Sequence, residues 1–137
     1  KLMNRKILII TSNYYKQVSS NLLTGAQDYL NQKNITNDVL NVPGAFEIPF
    51  VLHSKKKLYD GFIALGCIIR GETYHFEIIS NQVSKKIMDL SIEINKPIGF
   101  GVLTCENIDQ AIIRSDPAQG NKGAEAAIAC VELLNLK

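Results

Sequence analysis

The sequence has little net charge and no long apolar run, and each absence removes a class of function. Its formal net charge is +2, and its one lysine run, Lys55-Lys56-Lys57, is short. Without a basic surface interleaved with aromatic residues, nucleic-acid binding is not expected. The lysine run fits a solvated helix end better. No apolar run is long enough to span a bilayer, so no membrane association is expected either.

Cysteine is also scarce. Cys67, Cys105 and Cys130 are odd in number, far apart and set among apolar residues. We therefore expect buried free thiols rather than disulfides or metal ligands, as is typical of a reducing compartment. The basic segment Lys1 to Lys6 runs into only a short apolar stretch, which does not resemble a secretory signal. These features predict a cytoplasmic protein.

What the chain does contain is the composition of a globular domain. Apolar residues make up 46% and charged residues 20% of the sequence. A chain of 137 residues can bury an ordinary core without disulfides or metals. No internal repeat, linker or low-complexity tract interrupts it, so we expect a single domain over residues 1–137.

Short apolar segments alternate with longer stretches of helical period. Strands are predicted at Ile7–Ile10, Asp38–Val42, Phe62–Ile69 and Ile98–Thr104. Helices are predicted after a cap at Ser19 or Ser20, over Phe46–Lys57, from Phe76 onward, over Asn107–Ile113 and from Ala124 onward. The third helix has the clearest stripe, with apolar residues three or four apart at Phe76, Ile79, Val83, Ile87, Leu90 and Ile94.

This alternation predicts a four-stranded parallel sheet with helices on both faces, a three-layer α/β/α sandwich. Ligands of such sheets bind beyond the carboxyl ends of the strands. The turns of interest are therefore Thr11 to Tyr15, Pro43 to Glu47, Arg70 to His75 and the turn after Thr104.

Several familiar sites are excluded by their spacing. No GxxxxGK[ST] motif occurs, and Gly120-Asn121-Lys122-Gly123 does not have its spacing. Gly99-Phe100-Gly101 has no third glycine of a dinucleotide fold. The first strand is followed by Thr11-Ser12-Asn13-Tyr14, without the acids of a phospho-receiver domain. No histidine or cysteine pairs have metal-ligand spacing, so we expect no metal site.

The remaining polar residues are each open to two interpretations. His75 could move protons near neutral pH or be a solvated helix-start histidine. Arg70 and Arg114 could bind phosphate or form ion pairs. Glu47 is favoured at a helix start by the dipole alone. Tyr14 and Phe100 could stack on a planar ligand or fill the core.

Four stretches taken together carry more information. They are Val42-Pro43-Gly44-Ala45-Phe46-Glu47-Ile48-Pro49, Gly66-Cys67-Ile68-Ile69-Arg70-Gly71-Glu72-Thr73-Tyr74-His75-Phe76, Gly101-Val102-Leu103-Thr104-Cys105-Glu106-Asn107, and the ending from Gln110 to Arg114 and from Gly120 to Glu125. In this order they resemble the lumazine synthase family, and the likeness runs from about Ile7 to Leu136.

The resemblance implies a flavodoxin-like fold and a transferase of riboflavin biosynthesis. Its reaction, the penultimate step of that pathway, condenses 5-amino-6-(D-ribitylamino)uracil with 3,4-dihydroxy-2-butanone 4-phosphate to 6,7-dimethyl-8-ribityllumazine. Phosphate and water are released, and neither a cofactor nor a metal is implied. The chemistry needs oriented partners, proton transfers and a phosphate clamp more than a strong nucleophile.

The resemblance also assigns roles to individual residues. The catalytic proton donor and acceptor is His75. The pyrimidine and ribityl contacts are Tyr14, Ala45, Phe46, Glu47, Cys67, Ile68, Ile69, Phe100 and Lys122, with Phe100 supplied by a neighbouring subunit. The phosphate ester is bound by Glu72, Thr73 and Arg114, with Glu72 acting through its backbone N–H. Arg70 belongs to the motif but is expected to form a structural ion pair.

The chain departs from the family pattern at one turn. The family usually has Phe at Tyr14 and Asn at Tyr15. Stacking should survive the first change, whereas the second alters the turn. The thiol of Cys67 should be harmless where backbone atoms recognise the substrate.

Assembly and two competing functions remain open from the sequence. The resemblance implies a homo-oligomer, with a pentamer as the base expectation and an icosahedral shell of pentamers, which would hold riboflavin synthase, as the larger form. Six residues before the first strand disfavour a shell, whereas the compact Ser115 to Gly123 loop favours one. The alternatives to the enzyme are a non-catalytic lumazine or flavin carrier on the same scaffold, and a structural shell protein without chemistry.

Overall fold

A computed structural model describes residues 5–137; residues 1–4, part of the basic segment noted above, lie outside the described residues. The strands are β1 (Lys6–Ser12), β2 (Thr36–Val42), β3 (Gly61–Ile69) and β4 (Ile98–Cys105). The helices are α1 (Lys16–Gln32), α2 (Ile48–Ser54), α3 (His75–Ile94), α4 (Ile108–Ser115) and α5 (Lys122–Leu136). A 3₁₀ turn, Ala45–Glu47, precedes α2.

The four strands form one parallel sheet in the order β2-β1-β3-β4. This is the flavodoxin-like order, in which the chain first builds outward from β1 on one side and then crosses to the other. Every strand-to-strand connection passes through a helix, as parallel neighbours require. The predicted α/β fold is thereby confirmed.

The sheet separates two apolar cores, which makes the three layers. On one face, residues such as Ile9, Ile63 and Leu65 pack against α1, α4 and α5. On the other face, residues such as Ile10, Phe62 and Ala64 pack against α2 and α3. The apolar stripe of α3 lies in this second core, with Val83, Ile87 and Leu90 buried and Phe76, Ile79 and Ile94 at its margin. Among the described residues, no helix has the length and apolar character needed to cross a membrane.

Two predicted helix boundaries were wrong. Helix α1 begins at Lys16, so neither Ser19 nor Ser20 caps it; Tyr15 is the capping residue and makes no side-chain cap. The buried Ser19 hydroxyl instead donates to the Ser12 carbonyl and ties α1 to the end of β1. The predicted helix Phe46–Lys57 is also shorter, because the 3₁₀ turn occupies its start and α2 ends at Ser54.

Two glycines allow α5 to approach its neighbours closely. A methyl group added at Gly123 would lie 2.0 Å from the Leu22 carbonyl oxygen in α1, and one added at Gly99 would lie 2.0 Å from the Ala126 carbonyl oxygen. Because both obstacles are backbone atoms, no side chain can be accommodated there without moving a helix. These contacts fix α5, and with it Lys122 at its start, against α1 and β4.

Candidate active site

A cavity of about 660 Å³ opens at the carboxyl end of the sheet, where β1 and β3 end. This is the switch point of the fold, from which the connections leave toward opposite faces. Its lining comes from the turns after β1 and β2, the end of β3 and the start of α3: Tyr14, Tyr15, Pro43, Gly44, Ala45, Phe46, Glu47, Cys67, Ile68, Ile69, His75 and Ile79. A volume of this size suits a small organic ligand.

The floor of the cavity is the end of β3. The ladder between β1 and β3 ends at the Thr11–Leu65 pair, whereas the ladder to β4 continues to Ile69 and Cys105. The backbone N–H groups of Phe62 and Arg70 donate to the Pro97 and Cys105 carbonyls on the β4 side, both at 2.9 Å. Along a parallel strand, the backbone N–H and C=O groups of successive residues point alternately to the two neighbouring strands. Those of Phe62 and Arg70 face β4, so those of Cys67 and Ile69 face the opposite side, where β1 has already ended. They are placed to read the polar edge of a planar ligand.

Two exposed aromatic side chains flank this floor. Tyr14 is 72% exposed and Phe46 59% exposed, although both line the cavity. Tyr14 stands edge to face with Tyr15, with ring centroids 4.9 Å apart and planes at 80°. Tyr15 is partly buried and packs against the apolar core. Burial raises the pKa of Tyr15, so it is a neutral phenol at physiological pH.

The turn after β2 supplies the carboxylate of the cavity. Gly44 is extended and leads into the 3₁₀ turn, where the Glu47 N–H donates to the Gly44 carbonyl at 3.2 Å. A methyl group added at Gly44 would lie 3.2 Å from Glu47 Oε1, so the carboxylate is folded over this glycine. A carboxylate in this wall can accept hydrogen bonds from hydroxyl groups of a ligand.

The turn after β3 brings His75 to the cavity. His75 is the first residue of α3, and its backbone N–H donates to Thr73 Oγ1 at 3.3 Å. Glu72 and Thr73 lie in the exposed turn just before the helix and do not line the cavity. The free N–H groups of a helix start attract anions, so a phosphate bound near this turn would lie next to the histidine.

Three further predicted residues lie outside the cavity of this chain. Arg114, in the last turn of α4, directs Nη1 to Cys105 Sγ at 3.6 Å. Lys122 pairs with Glu125 at 3.1 Å. Phe100 lies in the edge strand β4 opposite Ala64, 46% exposed, and so away from the carboxyl end of the sheet.

The cysteines are free and buried, as expected. Cys67 lines the cavity yet is only 7% exposed, and burial raises the pKa of its thiol to about 12. The thiol is therefore neutral and a poor nucleophile. Within residues 5–137, no group of three or more His, Cys, Asp or Glu side chains could hold a metal ion.

Four lining residues were not among the predicted site residues: Tyr15, Pro43, Gly44 and Ile79. Pro43 and Gly44 belong to the first of the four motifs that resemble the family. Tyr15 is the position at which this chain departs from the family's usual asparagine. Ile79 was placed only on the core stripe of α3. Its position one helical turn after His75 is the signal that could have identified it.

The fold and the cavity together define an α/β protein with a cavity of small-molecule size, lined by one carboxylate, one histidine and two exposed aromatic rings. Comparison with known proteins makes the class specific. The family model of 6,7-dimethyl-8-ribityllumazine synthase matches residues 4–137, and the chain belongs to this family.

Named relatives agree along almost their whole length. A 6,7-dimethyl-8-ribityllumazine synthase from Kosmotoga olearia is 44% identical, over 96% of this chain and 88% of the relative. Proteins of the same name from Bartonella henselae and Zymomonas mobilis are 45% and 42% identical, over 96% of this chain and 87% and 96% of theirs. The resemblance read from the four motifs is confirmed.

Proposed function

We propose that this chain is a transferase that condenses 5-amino-6-(D-ribitylamino)uracil with 3,4-dihydroxy-2-butanone 4-phosphate to 6,7-dimethyl-8-ribityllumazine. The observation that carries the proposal is the cavity at the ends of β1 and β3. In a chain of this family, the cavity brings together two exposed aromatic side chains, free peptide groups at the end of β3, one carboxylate and one histidine. No protein nucleophile is required, because imine formation starts from the amine of one substrate and the carbonyl of the other.

The pyrimidine binds between Tyr14 and the end of β3. Tyr14 stacks on the ring, and the peptide groups of Cys67 and Ile69 pair with its polar edge. Ile68 contributes its side chain to the wall, since its own peptide group faces β4. The ribityl chain runs along Ala45 and Phe46, and Glu47 accepts hydrogen bonds from its hydroxyl groups.

The phosphate ester binds beside His75. The backbone N–H groups of Glu72 and Thr73, in the turn that leads into α3, receive the phosphate, and Arg114 neutralises its charge. His75 moves the protons that imine formation, phosphate elimination and ring closure require. The cavity acts mainly by holding the two substrates in the reacting orientation.

The working form is a homo-oligomer, with a pentamer as the simplest assembly. Phe100 supports this proposal, because it is an exposed aromatic on an edge strand and lies away from the cavity of its own chain. In the assembly it completes the pyrimidine site of a neighbour, and Lys122 lies near that ring. Light scattering combined with size-exclusion chromatography separates a monomer, a pentamer and a shell.

The deciding experiment mixes the purified protein with both substrates and follows lumazine absorbance against the spontaneous rate. Acceleration supports the enzyme. A protein that binds the lumazine product but leaves the rate at its spontaneous value would be the carrier instead.

A further inference from the structure

Arg70, the residue after β3, makes three side-chain contacts, two with the start of α3 and one with the turn after β4. Its Nε donates to Glu106 Oε1 at 2.9 Å, in the turn between β4 and α4. Its Nη1 donates to Glu77 Oε2 in the first turn of α3. The guanidinium also lies over the Phe76 ring, 4.4 Å from the ring centroid. Arg70 holds the pKa of Glu77 below its ordinary value, so the pair is charged at neutral pH.

The contact with Glu77 closes the turn that carries the reactive groups. Glu72, Thr73 and His75 lie between the two partners in sequence. Residues 71–75 are exposed, and a methyl group added at Gly71 would meet nothing within 4 Å. A turn with so little packing of its own depends on what holds its two ends.

The contact with Glu106 reaches the helix that carries Arg114. The Glu106 N–H donates to Gln110 Oε1 at 2.8 Å, and the Gln110 N–H donates to Asn107 Oδ1 at 2.9 Å, which caps α4. Arg70 thus joins the start of α3 to the start of α4. The groups assigned to the phosphate half of the reaction lie in the turn before α3, at its first residue and in α4.

An ordinary surface ion pair would not justify a functional role. Exposed pairs contribute little to stability, and Arg70 is 41% exposed. Here, however, one planar guanidinium serves two carboxylates from different elements and stacks on a ring, which a flexible lysine cannot reproduce. The effect of Arg70 should therefore appear in local order and not in global stability.

We propose that Arg70 is a positioning residue, a clamp that holds the turn with Glu72, Thr73 and His75 against the start of α4. The inference rests on the proposed function, because it assigns the clamped turn to the phosphate ester. Arg70 does not itself touch substrate. It keeps the phosphate-binding groups and the histidine at fixed positions relative to each other.

The test compares Arg70→Gln and Arg70→Lys with Lys85→Gln. Lys85→Gln is a matched control, because Lys85 forms an exposed ion pair with Asp89 at 2.9 Å. Both residues are on α3, like Glu77, but lie away from the turn. Arg70→Gln should raise the KM for the phosphate ester about tenfold, as expected from loosened positioning, while the KM for the pyrimidine is unchanged. Arg70→Lys should restore part of the loss, and Lys85→Gln should match the wild type.

A second measurement does not depend on activity. Hydrogen exchange of the backbone N–H groups of residues 71–77 should be faster in Arg70→Gln than in the wild type, with an unchanged melting temperature. If the wild-type protein fails to accelerate the condensation, the proposed function is wrong, and hydrogen exchange still tests the clamp. If the wild type is active and Arg70→Gln changes neither the KM nor the exchange rates, the clamp is wrong. A uniform loss of activity with a lowered melting temperature would equally overturn it in favour of a structural role.

Discussion

Gly123 in α5 lies directly against the backbone of Leu22 in α1, where an added methyl group would stand 2.0 Å from the carbonyl oxygen. The two helices cross at this point, and Lys122 precedes the contact. The approach of α5 to α1 therefore requires that position 123 has no side chain.

Replacing Gly123 with alanine should lower the free energy of unfolding by on the order of 1–3 kcal/mol, because the crossing helices must separate. Urea unfolding measures the change. Gly71→Ala is the control, since nothing lies within 4 Å of the added methyl group; it should be neutral or stabilise by about 0.4–1 kcal/mol. Equal stabilities of the two variants would contradict the close crossing.

Tyr14 should act through its ring and not through its hydroxyl group. Tyr14→Phe should therefore keep the wild-type KM for the pyrimidine substrate, whereas Tyr14→Ala should raise it about two- to tenfold, the value of one stacking contact. Steady-state kinetics with the phosphate ester held in excess measures both. A Tyr14→Phe variant as impaired as Tyr14→Ala would show that the phenol oxygen binds the substrate.

His75 and Arg114 should have different kinetic signatures. Arg114→Ala should weaken binding of the phosphate ester by about 1.5–3 kcal/mol, because it loses a charge-assisted contact. His75→Ala should lower kcat and leave that affinity near its wild-type value, because the histidine transfers protons. Varying the phosphate ester at saturating pyrimidine separates kcat from KM. A normal apparent affinity in Arg114→Ala would remove its assignment to phosphate.

The buried thiol of Cys130 should make the fold sensitive to alkali. Burial raises its pKa from an ordinary value of 9.0 to about 12. Below pH 9 the thiol is neutral in both states. Between pH 9 and 12 it ionises only in the unfolded chain, so the free energy of unfolding falls by up to about 1.4 kcal/mol per pH unit.

Urea unfolding at several pH values checks this slope against Cys130→Ala. The variant loses packing but also loses this titration, so its stability should fall less steeply above pH 9. Parallel curves would contradict the assignment.

In the folded protein, a thiol reagent should react with none of the three cysteines, since each is buried.

Much of the fold follows from periodicity in the sequence. The six apolar residues of the α3 stripe are three or four positions apart, and all of them pack on one core. The start of α1 did not follow, because the hydroxyl predicted to cap the helix bonds to Ser12 inside the protein. Helix α1 begins three residues before Ser19, and the Ser19 side chain makes a tertiary hydrogen bond that a local capping pattern cannot show.

The candidate site was also predictable only in part from the sequence. The rule that ligands bind at strand ends predicted the turns with Tyr14, Glu47 and His75, and the structure brings these three residues to one cavity. Arg114, Lys122 and Phe100 lie outside it. Their proposed roles require long side chains and a second copy of the chain, and local sequence spacing encodes neither.

The exposed rings of Tyr14 and Phe46 have a calorimetric consequence. In the free protein their faces are hydrated, although they line the cavity. A ligand that covers them removes apolar surface from water, and this lowers the heat capacity of the system. Binding at this site should therefore become more exothermic as the temperature rises, a dependence that phosphate binding by charged and polar groups alone would not produce.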